Sequence, residues 1–175
     1  MGDDGAGLGP PGESVLALPE EIDLDVLDTT LSFYLRSLNM AVSRDWESRL
    51  DGLDPVRGTG KVTALLLIAN HPGIRPSVIA RVSLKDRSAM GRVLDGLEAN
   101  GFITRRTSTR DSRAWALFLT AKGERAVGEI RRRVRESRAF FGDVSEEDYA
   151  QVIALLRKIY WRIVTEPRHT GRIDA

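Results

Sequence analysis

The chain has 175 residues, enough for one compact domain or a domain with an extension that shares its core. A hydrophobic fraction of 42% is ordinary for a globular protein and excludes wholesale disorder, and 26 basic against 25 acidic residues leave a net charge of only +1. Without cysteine there is no disulfide framework or thiol switch, two histidines (His71, His169) speak against a zinc site, and no apolar run approaches the roughly 18 residues of a membrane span.

In chain order, residues 1–19 are rich in Gly, Pro and Asp and have no period, which predicts a disordered acidic arm. No basic region followed by an apolar core stands at the N-terminus, and Ala6 breaks a myristoylation pattern after Met1-Gly2, so a cytoplasmic location is expected. Over 20–50 the spacing predicts one long helix, about Asp23 to Arg49. Leu24, Leu27, Leu31, Leu35, Leu38, Val42 and Trp46 form its stripe, with Val26, Phe33 and Met40 as a second apolar line. A helix apolar on two sides needs two partners. Asp51 to Gly60 reads as a loop. Its Gly58-Thr59-Gly60-Lys61 is no phosphate loop, because Pro55 and Val62 stand where that motif needs Gly and Ser or Thr. Lys61 to Asn70 is a buried helix, ended by His71-Pro72-Gly73, with His71 a cap or surface residue.

Pro76-Ser77 opens a short helix to Val82. A second helix follows, about Asp86 to Asn100, with Met90, Val93, Leu94 and Leu97 inward and Arg87, Ser88, Gly91, Arg92 and Asp95 outward. Asn100-Gly101 closes it. Phe102 to Thr107 and Arg113 to Leu119 read as strands around a polar turn, Ser108 to Ser112. Thr120 opens a helix reaching Phe141, with Val127, Ile130, Val134 and Phe141 on one face and many bases on the others. Val144-Ser145 then starts the last helix, to about Thr165, with Ser145 as cap, Asp148 at the capping-box position and a Val144–Tyr149 staple. Residues 166–175 read as a tail.

A short helix, a turn, an exposed basic helix and a basic hairpin outline a winged helix-turn-helix that reads DNA. Charge agrees with that outline. Residues 1–28 hold eight acids and no base, whereas Arg81 to Arg113 hold eight bases against four acids. The predicted class is therefore mainly α with a small β-hairpin wing (α+β). The DNA-binding domain is expected over 58–120, and the apolar helices at 20–50 and 121–165 are expected to pair two copies of the chain, the alternative being a monomer with internally paired helices.

These residues resemble the MarR-type transcriptional regulators. The match is Asp86-Arg87-Ser88, Arg92, Asp95, Leu97, Gly101 and Arg105, then Asp111-x-Arg113 in the wing and Leu119-Thr120-x-x-Gly123. It extends more loosely over 24–165 and departs at Gly91 and Gly96, where the family usually carries side chains. The resemblance implies a homodimer joined through its chain termini, a pseudo-palindromic double-stranded operator and a small-molecule effector, often an aromatic acid or its coenzyme A thioester. It implies no cofactor, metal, catalytic residue or membrane. Lacking cysteine, the chain does not follow the peroxide sensors of that family.

Outward residues near the start of a groove-bound helix read base edges. The expected DNA contacts are Ser77, Lys85, Arg87, Ser88, Ala89 and Arg92, and in the hairpin Arg105, Arg106, Arg110, Asp111 and Arg113. Arg87 and Arg92 suit guanine, Ala89 a thymine methyl, and Ser88 either caps the helix or meets a phosphate. Arg110 suits a narrow minor groove, and Asp111 with Arg113 stiffens the wing. Of Arg105 and Arg106, one must face away from any given partner. On the first helix Ser32, Arg36, Asn39 and Ser43 form a polar line suited to a carboxylate ligand, against the plainer reading of a solvated face. The expected function is a repressor relieved by that ligand. The alternative is a winged-helix interaction module without specific DNA binding. An enzyme has no support, since nucleophile elbow, zinc spacing and dinucleotide fingerprint are all missing from the sequence.

Overall fold

Hydrophobic spacing alone runs the first helix from Asp23, but the computed structural model interrupts it at Thr30. The structure describes residues 22–52, 56–107 and 115–166 and divides into two units, Met1–Met40 and Ala41–Ala175. The expected acidic arm, Asp54 and Pro55, the wing turn with Arg110, Asp111 and Arg113, and the tail from Pro167 lie outside the described residues.

In the first unit a 3₁₀ segment, Asp25–Thr29, precedes α1, Leu31–Arg49, whose residues from Ala41 belong to the second unit. Local side-chain bonds compete with helix here. Asp23 accepts the Asp25 N–H at 2.8 Å, Asp25 takes a left-handed φ of 50°, and the Thr30 hydroxyl donates to the Val26 carbonyl at 2.6 Å. Tyr34 stacks edge-on with Phe33 (5.3 Å) and donates to Asp28 at 2.7 Å. Val26, Leu27, Leu31, Leu35, Leu38 and Met40 are all exposed.

In the second unit α2, Thr59–Asn70, starts two residues before the expected Lys61, so the glycine-flanked Thr59 opens a helix. There follow α3, Pro76–Val82; α4, Arg87–Ala99; β1, Ile103–Thr107; β2, Trp115–Leu119; and α5, Ala121–Glu136. Their apolar faces meet in one core with Leu65, Ile68, Ile79, Met90, Leu94, Leu97, Ile103, Leu117 and Ile130 almost fully buried, and Trp46 packed against it. Each such side chain contributes about 1.5–3 kcal/mol. The strands pair antiparallel, Ile103 opposite Leu119 through Thr107 opposite Trp115. Ile74 adds a bridge on the far side of Leu117, its carbonyl accepting the Leu117 N–H at 3.1 Å. The hairpin is thereby tied to the residue that leads into α3.

Two motif residues explain each other at the start of α5. Thr120 caps the helix by accepting the Gly123 N–H at 3.1 Å, and its hydroxyl donates to the Gly101 carbonyl at 2.6 Å. A Cβ on Gly123 would lie 2.1 Å from the Phe102 carbonyl oxygen, so only glycine lets α5 approach the β1 entry this closely.

Beyond Glu136 the expected continuous helix tightens into a 3₁₀ segment, Ser137–Phe141, where the Ser137 hydroxyl donates to the Val134 carbonyl at 2.7 Å. Val134 is exposed rather than part of a buried face. The last helix, α6, runs Glu146–Thr165 from a Ser145 cap. Ser145 accepts the Asp148 N–H at 3.0 Å and donates to the Asp148 carboxylate at 2.6 Å, as the capping-box spacing implied. Tyr149 packs edge-on against Phe141 at 5.4 Å and under the Arg138 guanidinium at 4.2 Å.

Candidate nucleic-acid interface

The turn from α3 into α4 is built by backbone bonds. Leu84 N–H donates to the Arg81 carbonyl (3.1 Å) and Lys85 N–H to the Ala80 carbonyl (3.0 Å), the paired bonds of a Schellman cap. That cap needs a left-handed residue, and Leu84 supplies it at φ 51°. The end of α4 repeats the motif with glycine. Gly101 (φ 72°) donates to Glu98 at 2.8 Å and Phe102 to Leu97 at 2.9 Å.

Asp86, not Ser88, caps the start of α4. Its Oδ1 accepts the Ala89 N–H at 2.6 Å and the Ser88 hydroxyl at 2.7 Å. The Ala89 amide first, then Ser88 and the nearby Arg92 charge, hold the Asp86 carboxyl below its ordinary range, so it is ionised at neutral pH. Met90, Leu94 and Leu97 face the core, while Arg87, Ser88, Arg92 and Asp95 are exposed and Ala89 is half-buried. Ser77, Lys85 and Arg87 line a groove of about 570 Å³ together with Val164 in the last turn of α6 and Glu166 just after it.

The bases differ in whether they bond inside the chain. Lys122 donates to the Asn100 carbonyl at 2.8 Å, Arg133 to the Arg49 carbonyl, and Arg81 to the Val164 carbonyl at 3.0 Å. Each satisfies carbonyls that a helix end leaves unpaired. Arg131 bonds Asn70 at 2.8 Å. Arg105 turns back onto α4 and pairs with Asp95 at 2.6 Å and Glu98 at 3.2 Å, its side chain only 23% exposed. Its neighbour Arg106 is exposed on the opposite face, 4.8 Å above the Phe118 ring. By contrast Lys85, Arg87 and Arg92 are exposed and form no ion pair with another described residue.

Of the ligand-line residues, Ser32, Arg36 and Asn39 are exposed on α1 and Ser43 is half-buried. A smaller cleft of about 290 Å³ opens elsewhere, between α2, β2 and α5. Among the described residues no cluster of acids and histidines could hold a metal, and no helix is long and apolar enough to cross a membrane. Sequence reasoning missed the caps by Lys122, Arg133 and Arg81, whose partners lie far away in the chain. It also missed Trp115, 54% exposed opposite Thr107 in the strand pair next to the connecting turn. The Asp86 cap was visible as an Asp directly before the first helical residue.

The MarR family model matches residues 60–115, from within α2 to the first residue of β2. A protein of Thauera aromatica described as a transcriptional regulatory protein for the hcr operon is 31% identical over 156 residues, covering 87% of this chain and 90% of that protein. The fold is similar to that of the transcriptional repressor CouR bound to a 23-mer DNA duplex, with a TM-score of 0.70 and 24% identity over 79% of this chain and 98% of that chain. It is also similar to CouR from Rhodococcus jostii RHA1 bound to p-coumaroyl-CoA, with a TM-score of 0.68 and 20% identity over 77% of this chain and 94% of that chain.

Proposed function

The chain belongs to the MarR family of DNA-binding transcriptional regulators, and from that premise we propose that it is a homodimeric repressor, released from a pseudo-palindromic operator by a small aromatic acid or its coenzyme A thioester. The observation that carries the reading is that Lys85, Arg87 and Arg92, at and near the start of α4, are exposed and form no ion pair with another described residue, whereas Arg81, Arg105 and Lys122 bond inside the chain. Arg87 and Arg92 are assigned to base edges. Ser77, Lys85, Ser88 and Arg106 are assigned to phosphates, and Ala89 to apolar contact in the groove. Arg110 is assigned to the minor groove and Asp111 with Arg113 to wing stiffness. Arg105 is assigned to holding the hairpin against α4.

Exposed apolar side chains support the dimer. Val152, Ile153, Leu155, Leu156, Ile159 and Trp161 on α6, and Leu27, Leu31, Leu35 and Leu38 in the first unit, leave large apolar faces in water. Pairing of two copies would cover them. For the effector, Arg36 with Ser32, Asn39 and Ser43 offers a cation, two hydroxyls and an amide N–H suited to a carboxylate or thioester carbonyl. The CouR complex with p-coumaroyl-CoA supports that ligand class.

Selection from a random duplex pool tests the reading. The expected product is an inverted repeat with half-sites about one helical turn apart, bound as a dimer and released by an aromatic acyl-CoA but not by coenzyme A alone. Weak binding with no motif would contradict it and favour an interaction module.

A further inference from the structure

Two helix ends some eighty residues apart in the chain cap each other. The Tyr160 hydroxyl, on α6, donates to the Val82 carbonyl at the last residue of α3, at 2.5 Å. In the other direction Arg81, on α3, donates from Nε to the Val164 carbonyl at 3.0 Å and from Nη2 to Thr165 at 3.4 Å. Each helix thus supplies the side chain that satisfies carbonyls left open at the other's terminus. Burial raises the Tyr160 phenol above its ordinary range, so it remains a donor at any physiological pH.

Among the described residues no other hydrogen bond joins α6 to α3. Val164 is the one buried residue among those described in α6, at 5% exposure, and its own carbonyl is the one that Arg81 Nε caps. Upstream, Val152, Ile153, Leu155, Leu156 and Ile159 are exposed. On the α3 side the junction lies directly before Ser83–Asp86, the turn that sets the direction of α4. The junction also forms one wall of the groove that holds Ser77, Lys85 and Arg87.

We propose that this reciprocal cap fixes the reading unit relative to α6, making Arg81 and Tyr160 positioning residues for DNA reading rather than DNA contacts. The inference rests on the homodimer reading. If α6 packs on a second copy, the attitude of α3 against α6 sets the separation of the two recognition helices. Loosening the cap leaves each reading unit folded and able to hold one half-site. What is lost is the gain from engaging both half-sites at a set spacing.

The test uses the full chain, wild type, Tyr160→Phe and Arg81→Lys, the last keeping the charge but not the guanidinium fork. Affinities are measured for duplexes with one half-site, with two at the selected spacing, and with the spacing changed by about one or two base pairs. The expected result is unchanged single-half-site affinity. The advantage of the selected spacing should fall about fivefold per lost bond, with a flatter dependence on spacing. A spacing profile identical to wild type overturns the proposal. So does a proportional loss on half-sites and full sites, which would make the cap a folding element only. A wild-type chain that gains nothing from a second half-site sinks the homodimer reading itself, a result visible before any variant is measured.

Discussion

At Leu84 the chain holds a branched side chain in a conformation that glycine adopts freely, and the equivalent place after α4 is glycine, Gly101. The left-handed region costs an L-residue about 1–2 kcal/mol, while a glycine adds some flexibility to the unfolded chain. Leu84 is 48% exposed, so little packing is lost on its removal. Leu84→Gly is expected to stabilise the protein by about 0.5–1 kcal/mol in urea unfolding. A loss of stability would mean that Leu84 is covered in solution. Asp86 gives a prediction in pH. Its folded-state carboxyl titrates below the ordinary value, so the stability it contributes is present above the unfolded value of about 3.9 and is lost as pH falls through the depressed one. Asp86→Ala should therefore melt below wild type at neutral pH, and the gap should close in acid. A gap independent of pH would show that the carboxylate's charge is not what matters.

Helix α4 shows what was legible in the sequence and what was not. Its stripe and closing Asn-Gly pair follow from a 3.6-residue period and from glycine's freedom at a cap, and Met90, Leu94 and Leu97 are buried as that spacing implies. The hairpin was legible as two β-prone runs around a polar turn. Period two says that Arg105 and Arg106 face opposite ways, but only tertiary contact reveals that Arg105 meets Asp95 and Glu98. The break at Thr30 and the 3₁₀ segment after Glu136 escaped for a related reason. Apolar spacing continues through both places, while the backbone there follows local hydroxyl and carboxylate bonds. The two arginines separate experimentally. Arg106→Ala should reduce the salt slope of DNA binding by about one, the mark of one lost phosphate contact. Arg105→Ala should weaken binding and loosen the hairpin with the slope nearly unchanged. Equal slope changes in both variants would return Arg105 to the phosphate contacts.

For the whole molecule, composition cannot tell the bases that close helix ends from those exposed at the start of α4. A net charge of +1 conceals them, and so does the long basic run of α5. Lys122 and Arg133 of that run close the ends of α4 and α1, while Arg81 closes α6. Lys85, Arg87 and Arg92 close no helix end among the described residues. Exposed charge at the start of a helix docked on a packed core is what a duplex groove can use without breaking any internal contact. The most direct measurement is the position-by-position base preference of Arg92→Ala beside wild type, on the duplex recovered by selection. The account predicts that preference collapses at one position in each half-site, by about 5- to 100-fold, with the other positions intact. An even weakening across all positions, or an unchanged profile, would contradict the assignment of Arg92 to base reading.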